Sequence, residues 1–163
     1  MEEKLTKSLE TYLLAIDTLL QNKETIIVKD VAQYLNFGGA TTADAIKKLK
    51  EKGYINYKPY GNITLTSSGK DAVAVKKYRH NTITNFLNKV LDIDLKDAEN
   101  NADIIEYSMT EDVLTRFVHF MDFMEQCTCK EPKWVKSCKS SLKTGKVSAK
   151  CKSCSGGCCC SGK

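Results

Sequence analysis

Residues 28–69 read VKDVAQYLNFGGATTADAIKKLKEKGYINYKPYGNITLTSSG. Val28, Val31, Ala32 and Leu35 recur at helical spacing, and Gly38–Gly39 end that pattern. A second short helix follows, with Thr41 or Thr42 as its cap and Asp44 three residues after Thr41. Its inner face is Ala45, Ile46 and Leu49, which leaves Lys47, Lys48, Lys50 and Lys52 for solvent or phosphate. Gly53 suits the left-handed position just past a helix end. An aromatic strand at Tyr54–Tyr57, a Pro59–Gly61 turn and a second strand at Ile63–Leu65 complete the unit before a polar stop. Helix, turn, helix and small hairpin is the order of a winged helix-turn-helix, whose second helix enters a DNA groove.

Working outward, Leu5, Leu9, Tyr12, Leu13, Ile16, Leu19 and Leu20 give residues 5–21 one apolar helical stripe. Downstream, Thr66 or Ser67 opens a long helix to about Leu91, with inner face Ala72, Val75, Tyr78, Ile83, Phe86, Leu87, Val90 and Leu91. Asp92–Asp94 breaks it, a further helix covers about Lys96–Tyr107, and Thr110 opens another. That last helix is apolar nearly all round, which suits a buried element or a dimer surface. From Cys127 onward Cys, Lys, Ser and Gly dominate, and beyond about Val147 too little apolar surface remains to order the chain without a ligand. The expected fold is mainly α. Residues 1–70 form a winged helix-turn-helix, 71–126 an all-helical dimerisation and metal-sensing domain, and 127–163 a largely irregular Cys/Lys-rich tail.

The 163 residues suffice for a real core. No stretch approaches the roughly 18 consecutive apolar residues a membrane span needs. The charged start MEEKLTKSLE has no apolar signal region, so a cytoplasmic location is expected. In that reducing setting the eight cysteines read as metal or redox groups before disulfides. The net charge of +5 is unevenly distributed. Residues 1–79 hold 13 Lys/Arg against 9 Asp/Glu, residues 80–125 hold 3 against 10, and residues 126–163 hold 9 against 1. A basic front suits a polyanion and an acidic middle suits a cation.

Within the front, Thr41, Thr42 and Asp44 are placed to face base edges, and Ala40 to meet a thymine methyl. Lys47, Lys48, Lys58 and Tyr60 are placed to contact the phosphate backbone. In the acidic middle, Glu99, Asp103 and Glu106 fall at i, i+4 and i+7 on one helix. His80 lies on the preceding helix, which the Asp92–Asp94 connection would fold back alongside. One imidazole with carboxylates suits a hard or borderline divalent ion; a solvated acidic face beside a partly buried histidine is the alternative.

Residues 5–125 resemble the DtxR/MntR family of metal-dependent transcriptional repressors. The match rests on the opening helix with Glu10 and Tyr12, VKDVAQYL, KKLKEKGYINYKPYGNITLTSSG, YRHNTITNFLNKVLDID and ADIIEYSMTEDVLTRF. The resemblance implies metal ligands at His80, Asp103 and Glu106, with Glu99 ancillary, and Fe2+ or Mn2+ as the ion. It also implies that metal ties the opening helix to the acidic one. Departures are plain: the family's N-terminal acids fall on Thr11 and Leu14, its second histidine on Tyr107, and an ancillary glutamate on Thr84.

The tail offers Cys127, Cys129, Cys138, Cys151 and Cys154 as a second candidate metal set, for Zn2+ or an iron–sulfur cluster, followed by the run Cys158–Cys160. The expectation is therefore a homodimeric, metal-dependent DNA-binding regulator, a repressor acting on a palindromic operator in transition-metal homeostasis, with no membrane partner. One alternative keeps the DNA reader but senses through the cysteines; another is a metal-sequestering protein without specific DNA binding. An enzyme is not expected, because there is no phosphate-binding glycine loop and neither His80 nor His119 has an identifiable nucleophile.

Overall fold

A computed structural model describes residues 5–59, 61–126 and 133–146. The chain divides into two compact units, residues 1–77 and 78–163. The first holds α1 (Lys7–Asn22), α2 (Val28–Leu35), α3 (Gly39–Glu51), β1 (Ile55–Tyr57), β2 (Ile63–Leu65) and the start of α4 (Ser67–Asn85).

Local chemistry explains the element ends. Thr6 caps α1 by accepting from the Leu9 N–H. Asp30 accepts from the Ile27 N–H at 2.9 Å and from Lys23 at 2.7 Å, which ties the α2 start to the preceding turn. The Lys23 hydrogen bond, then that of Ile27, holds the Asp30 carboxyl below its usual range. Asn36 closes α2 in the left-handed region at φ 54°, and Gly53 follows α3 at φ 78°, as its position predicts. α3 begins earlier than the threonines suggest. Its N-cap is Gly38, and Thr42 lies inside the helix, fully buried, donating to the Gly38 carbonyl at 3.0 Å.

β1 and β2 pair antiparallel with Ile55 opposite Leu65 and Tyr57 opposite Ile63. The Ile63 N–H also bonds the Ile26 carbonyl at 2.9 Å, fixing the wing to the α1–α2 connection. Tyr12, Ile16, Ile26, Val31, Ile46, Leu49 and Ile63 form the centre of one core. α1 is further held to α4 by Glu10–Lys76 at 3.7 Å and Asp17–Lys77 at 2.6 Å.

The second unit holds the rest of α4, a π-helical turn (Phe86–Val90), α5 (Leu95–Ser108), α6 (Glu111–Gln126) and α7 (Lys133–Thr144). The long helix is thus α only to Asn85, after which its hydrogen bonds widen. Thr66 accepts from the Gly69 N–H at the α4 start, as expected, whereas Val75 and Tyr78 are exposed and not part of an inner face. Ile83, Leu87, Ala98, Ala102, Leu114 and Val118 form the core of this unit, with Phe86 edge-on to Phe117. Arg79 pairs with Glu111, and Tyr78 donates to Asp122. α6 has two apolar faces: Leu114, Val118 and Met121 are buried, and Val113, Phe120 and Phe123 are exposed. α7 was not anticipated from the sequence. It buries Val135 and sets Lys143 at 2.7 Å and Lys139 at 3.9 Å from Asp92.

Candidate metal centre and nucleic-acid interface

His80, Asp103 and Glu106 come together as the spacing of the sequence suggests. One potential ligand atom from each lies within 4.8 Å of the others. His80 is contributed by α4, and Asp103 and Glu106 by α5, three residues apart on one helical face. His80 Nδ1 stands 3.2 Å from Asp103 Oδ1. Glu106 is buried, at 5% exposure, while the Asp103 side chain faces solvent and His80 is partly covered. Glu99 stands outside this group, exposed one turn earlier on α5. Tyr107 is also exposed, at 63%.

An imidazole nitrogen and two carboxylates held within 4.8 Å fit a divalent ion with hard or borderline preferences. α1 carries Thr11 and Leu14 where the resemblance placed acids. The Thr11 hydroxyl donates to the Lys7 carbonyl at 3.0 Å, and Leu14 packs on the first core. The grouped side chains lie on α4 and α5.

On the DNA-facing unit, Ala40, Thr41, Asp44, Lys47 and Lys48 are exposed along one stripe of α3. Lys58 is exposed in the wing, and Tyr60 lies outside the described residues. Thr42 is the exception, because its burial removes it from any groove-facing role. The first turn of α3 contains no acidic residue, and Lys48 and Lys50 sit in its last turn. Of the second candidate metal set, Cys138 is a free, partly buried thiol on α7. Cys127, Cys129, Cys151 and Cys154 lie outside the described residues.

A winged helix followed in the chain by a helical unit with an imidazole–carboxylate cluster defines a DNA-binding regulator that responds to a metal ion. Residues 4–63 match the iron dependent repressor N-terminal DNA binding domain. Residues 66–135 match the iron dependent repressor metal binding and dimerisation domain. The chain belongs to the iron-dependent repressor family. It is a metal-dependent, DNA-binding transcriptional regulator and a homodimer-forming protein, not an enzyme.

An HTH-type transcriptional regulator of Methanocaldococcus jannaschii is 33% identical over 119 residues, covering 72% of this chain and 95% of the relative. A hypothetical protein of Sulfolobus solfataricus superposes with a TM-score of 0.62 at 20% identity, covering 77% of this chain and 95% of its own. A manganese-dependent transcriptional repressor in complex with manganese gives a TM-score of 0.58 at 24% identity, covering 71% of this chain and 53% of that one. Among the described residues no helix is long and apolar enough to cross a membrane.

Proposed function

We propose that this protein is a cytoplasmic repressor that binds a palindromic operator when Fe2+ or Mn2+ occupies His80, Asp103 and Glu106. The carrying observation is that this nitrogen–oxygen–oxygen set lies within 4.8 Å on two helices of the dimerisation unit. Such a donor set favours these ions over thiolate-seeking ones. His80 on α4 and Asp103 and Glu106 on α5 would hold the ion, which would supply a link between the two helices. His80 would offer the ion a ring nitrogen, and Asp103 and Glu106 a carboxylate oxygen each.

The rest of the reading assigns roles along the chain. Residues 1–70 read DNA, residues 71–126 pair subunits and sense metal, and the tail from 127 is accessory. Val113, Phe120 and Phe123, at i, i+7 and i+10 on α6, form an exposed apolar stripe suited to a second copy of the chain. On α3, Ala40, Thr41 and Asp44 face base edges, with Asp44 able to accept from a cytosine amino group. Lys47, Lys48, Lys58 and Tyr60 serve phosphates.

The test is recovery of bound genomic fragments with Mn2+ or with a chelator, followed by anisotropy titration of the recovered site. His80→Ala and Glu106→Gln are expected to lower the metal-stimulated DNA affinity by about tenfold or more, at the scale of ordinary allosteric coupling. Circular dichroism should show both variants folded. Undiminished metal response in both would overturn the assignment.

A further inference from the structure

Thr84 stands one turn beyond His80 on α4, the i, i+4 spacing that sets two side chains on one helix face about 5–6 Å apart. It is buried, at 7% exposure. Among the described residues, its hydroxyl is the buried side-chain polar atom with no hydrogen-bond partner. A helical threonine has an easy local remedy, donation to the carbonyl four residues back. Thr11, Thr18, Thr42 and Thr144 all use it, at 2.9–3.0 Å from the carbonyls of Lys7, Leu14, Gly38 and Ser140. Thr84 does not.

The neighbourhood tells where this hydroxyl is directed. Ile83 and Leu87 share a core with Ala98 and Ala102, and His80 meets Asp103, so α4 and α5 run antiparallel here. Thr84 is therefore on the α5-facing side of α4, between the ligand histidine and that core. The π-helical turn starts two residues later, at Phe86, with the Leu91 N–H bonded to the Phe86 carbonyl. Wide turns of this kind are frequent at functional sites. An unpaired buried hydroxyl is a standing cost to folding, and its retention beside a ligand set calls for a partner that arrives with the ligand.

We propose that Thr84 Oγ1 is the outer-sphere partner of the ion held by His80, Asp103 and Glu106, accepting a hydrogen bond from a water molecule on that ion. Three protein donors leave about three positions of a six-coordinate ion to water, and a hydroxyl one helical turn from the histidine is in reach of one of them. The role is a positioning one: it orients a bound water and so favours ions that keep their water over ions that shed it. The inference rests on the metal reading above.

The experiment is a Mn2+ titration of the full-length chain, with free Mn2+ read by electron paramagnetic resonance. It compares wild type, Thr84→Val, Thr84→Ser and His80→Ala, with melting of each metal-free protein alongside. Thr84→Val, of nearly the same shape, is expected to weaken Mn2+ binding about 10–100-fold. Thr84→Ser should stay close to wild type. Without metal, Thr84→Val should melt at the same temperature or about 2–4 °C higher, because it removes an unpaired buried hydroxyl. If Thr84→Val binds Mn2+ like wild type while His80→Ala does not, the role of Thr84 falls and the metal reading stands. A serine variant as weak as the valine one, or a metal-free valine variant that melts lower, also overturns the role. Wild type that binds neither Mn2+ nor, in a parallel anaerobic titration, Fe2+ overturns the metal reading and this inference together.

Discussion

At the level of single residues, Gly69 sets the tightest constraint in the DNA-binding unit. A Cβ added there would lie 2.0 Å from the Tyr54 carbonyl oxygen and 3.0 Å from its carbon. Both are backbone atoms, so the first turn of α4 would have to move off the hairpin, breaking the contact of Thr66 N–H with the Tyr54 carbonyl at 3.1 Å. Gly69→Ala should therefore destabilise the protein by about 1–3 kcal/mol or more, despite alanine's better helix propensity. Urea denaturation reads this directly, and wild-type stability in the variant would show that the helix start relaxes freely. Thr42 shows where residue-scale reading of the sequence fails. Two adjacent threonines compete for the cap, yet Thr42 stands four and seven residues before the buried Ile46 and Leu49, so it joins their inward stripe once the helix reaches back to Gly39. Once Gly38 is the cap, Thr42 turns inward and bonds the Gly38 carbonyl. His80, Asp103 and Glu106 were readable because their spacing on two helices depends on period and not on the cap.

Elements with a strong apolar period were legible from end to end, as α1, α2 and the hairpin show. α7 was not, because its few apolar residues lie among lysines, serines and a cysteine, a composition that blends into the tail, and it is tied to a partner distant in sequence. That partner is Asp92, in the left-handed region at φ 60°, where the π turn meets the connection to α5. The Lys143 hydrogen bond holds the Asp92 carboxyl below its usual range. Because the folded carboxyl titrates lower than the unfolded one, this contribution is present above about pH 4 and fades as acid protonates Asp92. Asp92→Asn removes the charge while asparagine tolerates the left-handed backbone. Amide exchange at pH 6 should then speed up across Lys133–Thr144 and stay unchanged in α5. Unchanged exchange in α7 would mean that Val135 alone holds the helix.

Across the whole molecule, charge and chemistry are segregated: a basic DNA-reading unit, an acidic sensing unit and a basic cysteine-bearing tail. The existence of α7 decides how the tail can be tested. A cut after Gln126 would remove a helix that belongs to the second unit, confusing loss of sensing with loss of structure. A cut after Lys146 spares α7 yet removes Cys151, Cys154 and Cys158–Cys160, leaving Cys127, Cys129 and Cys138. Three thiols are too few for an all-sulfur Zn2+ site or a four-cysteine iron–sulfur cluster. The truncation also deletes Lys150, Lys152 and Lys163 without deleting an acid. With the switch at His80, Asp103 and Glu106, the shortened chain should keep the full ratio of DNA affinity with Mn2+ to that with chelator. Its absolute affinity should fall modestly and more at low salt than at high salt, since fewer cations meet phosphate. Titrations of wild type and truncation at two salt concentrations separate these effects. A lost metal ratio with retained DNA affinity would move the sensor from the α4–α5 cluster to the cysteines.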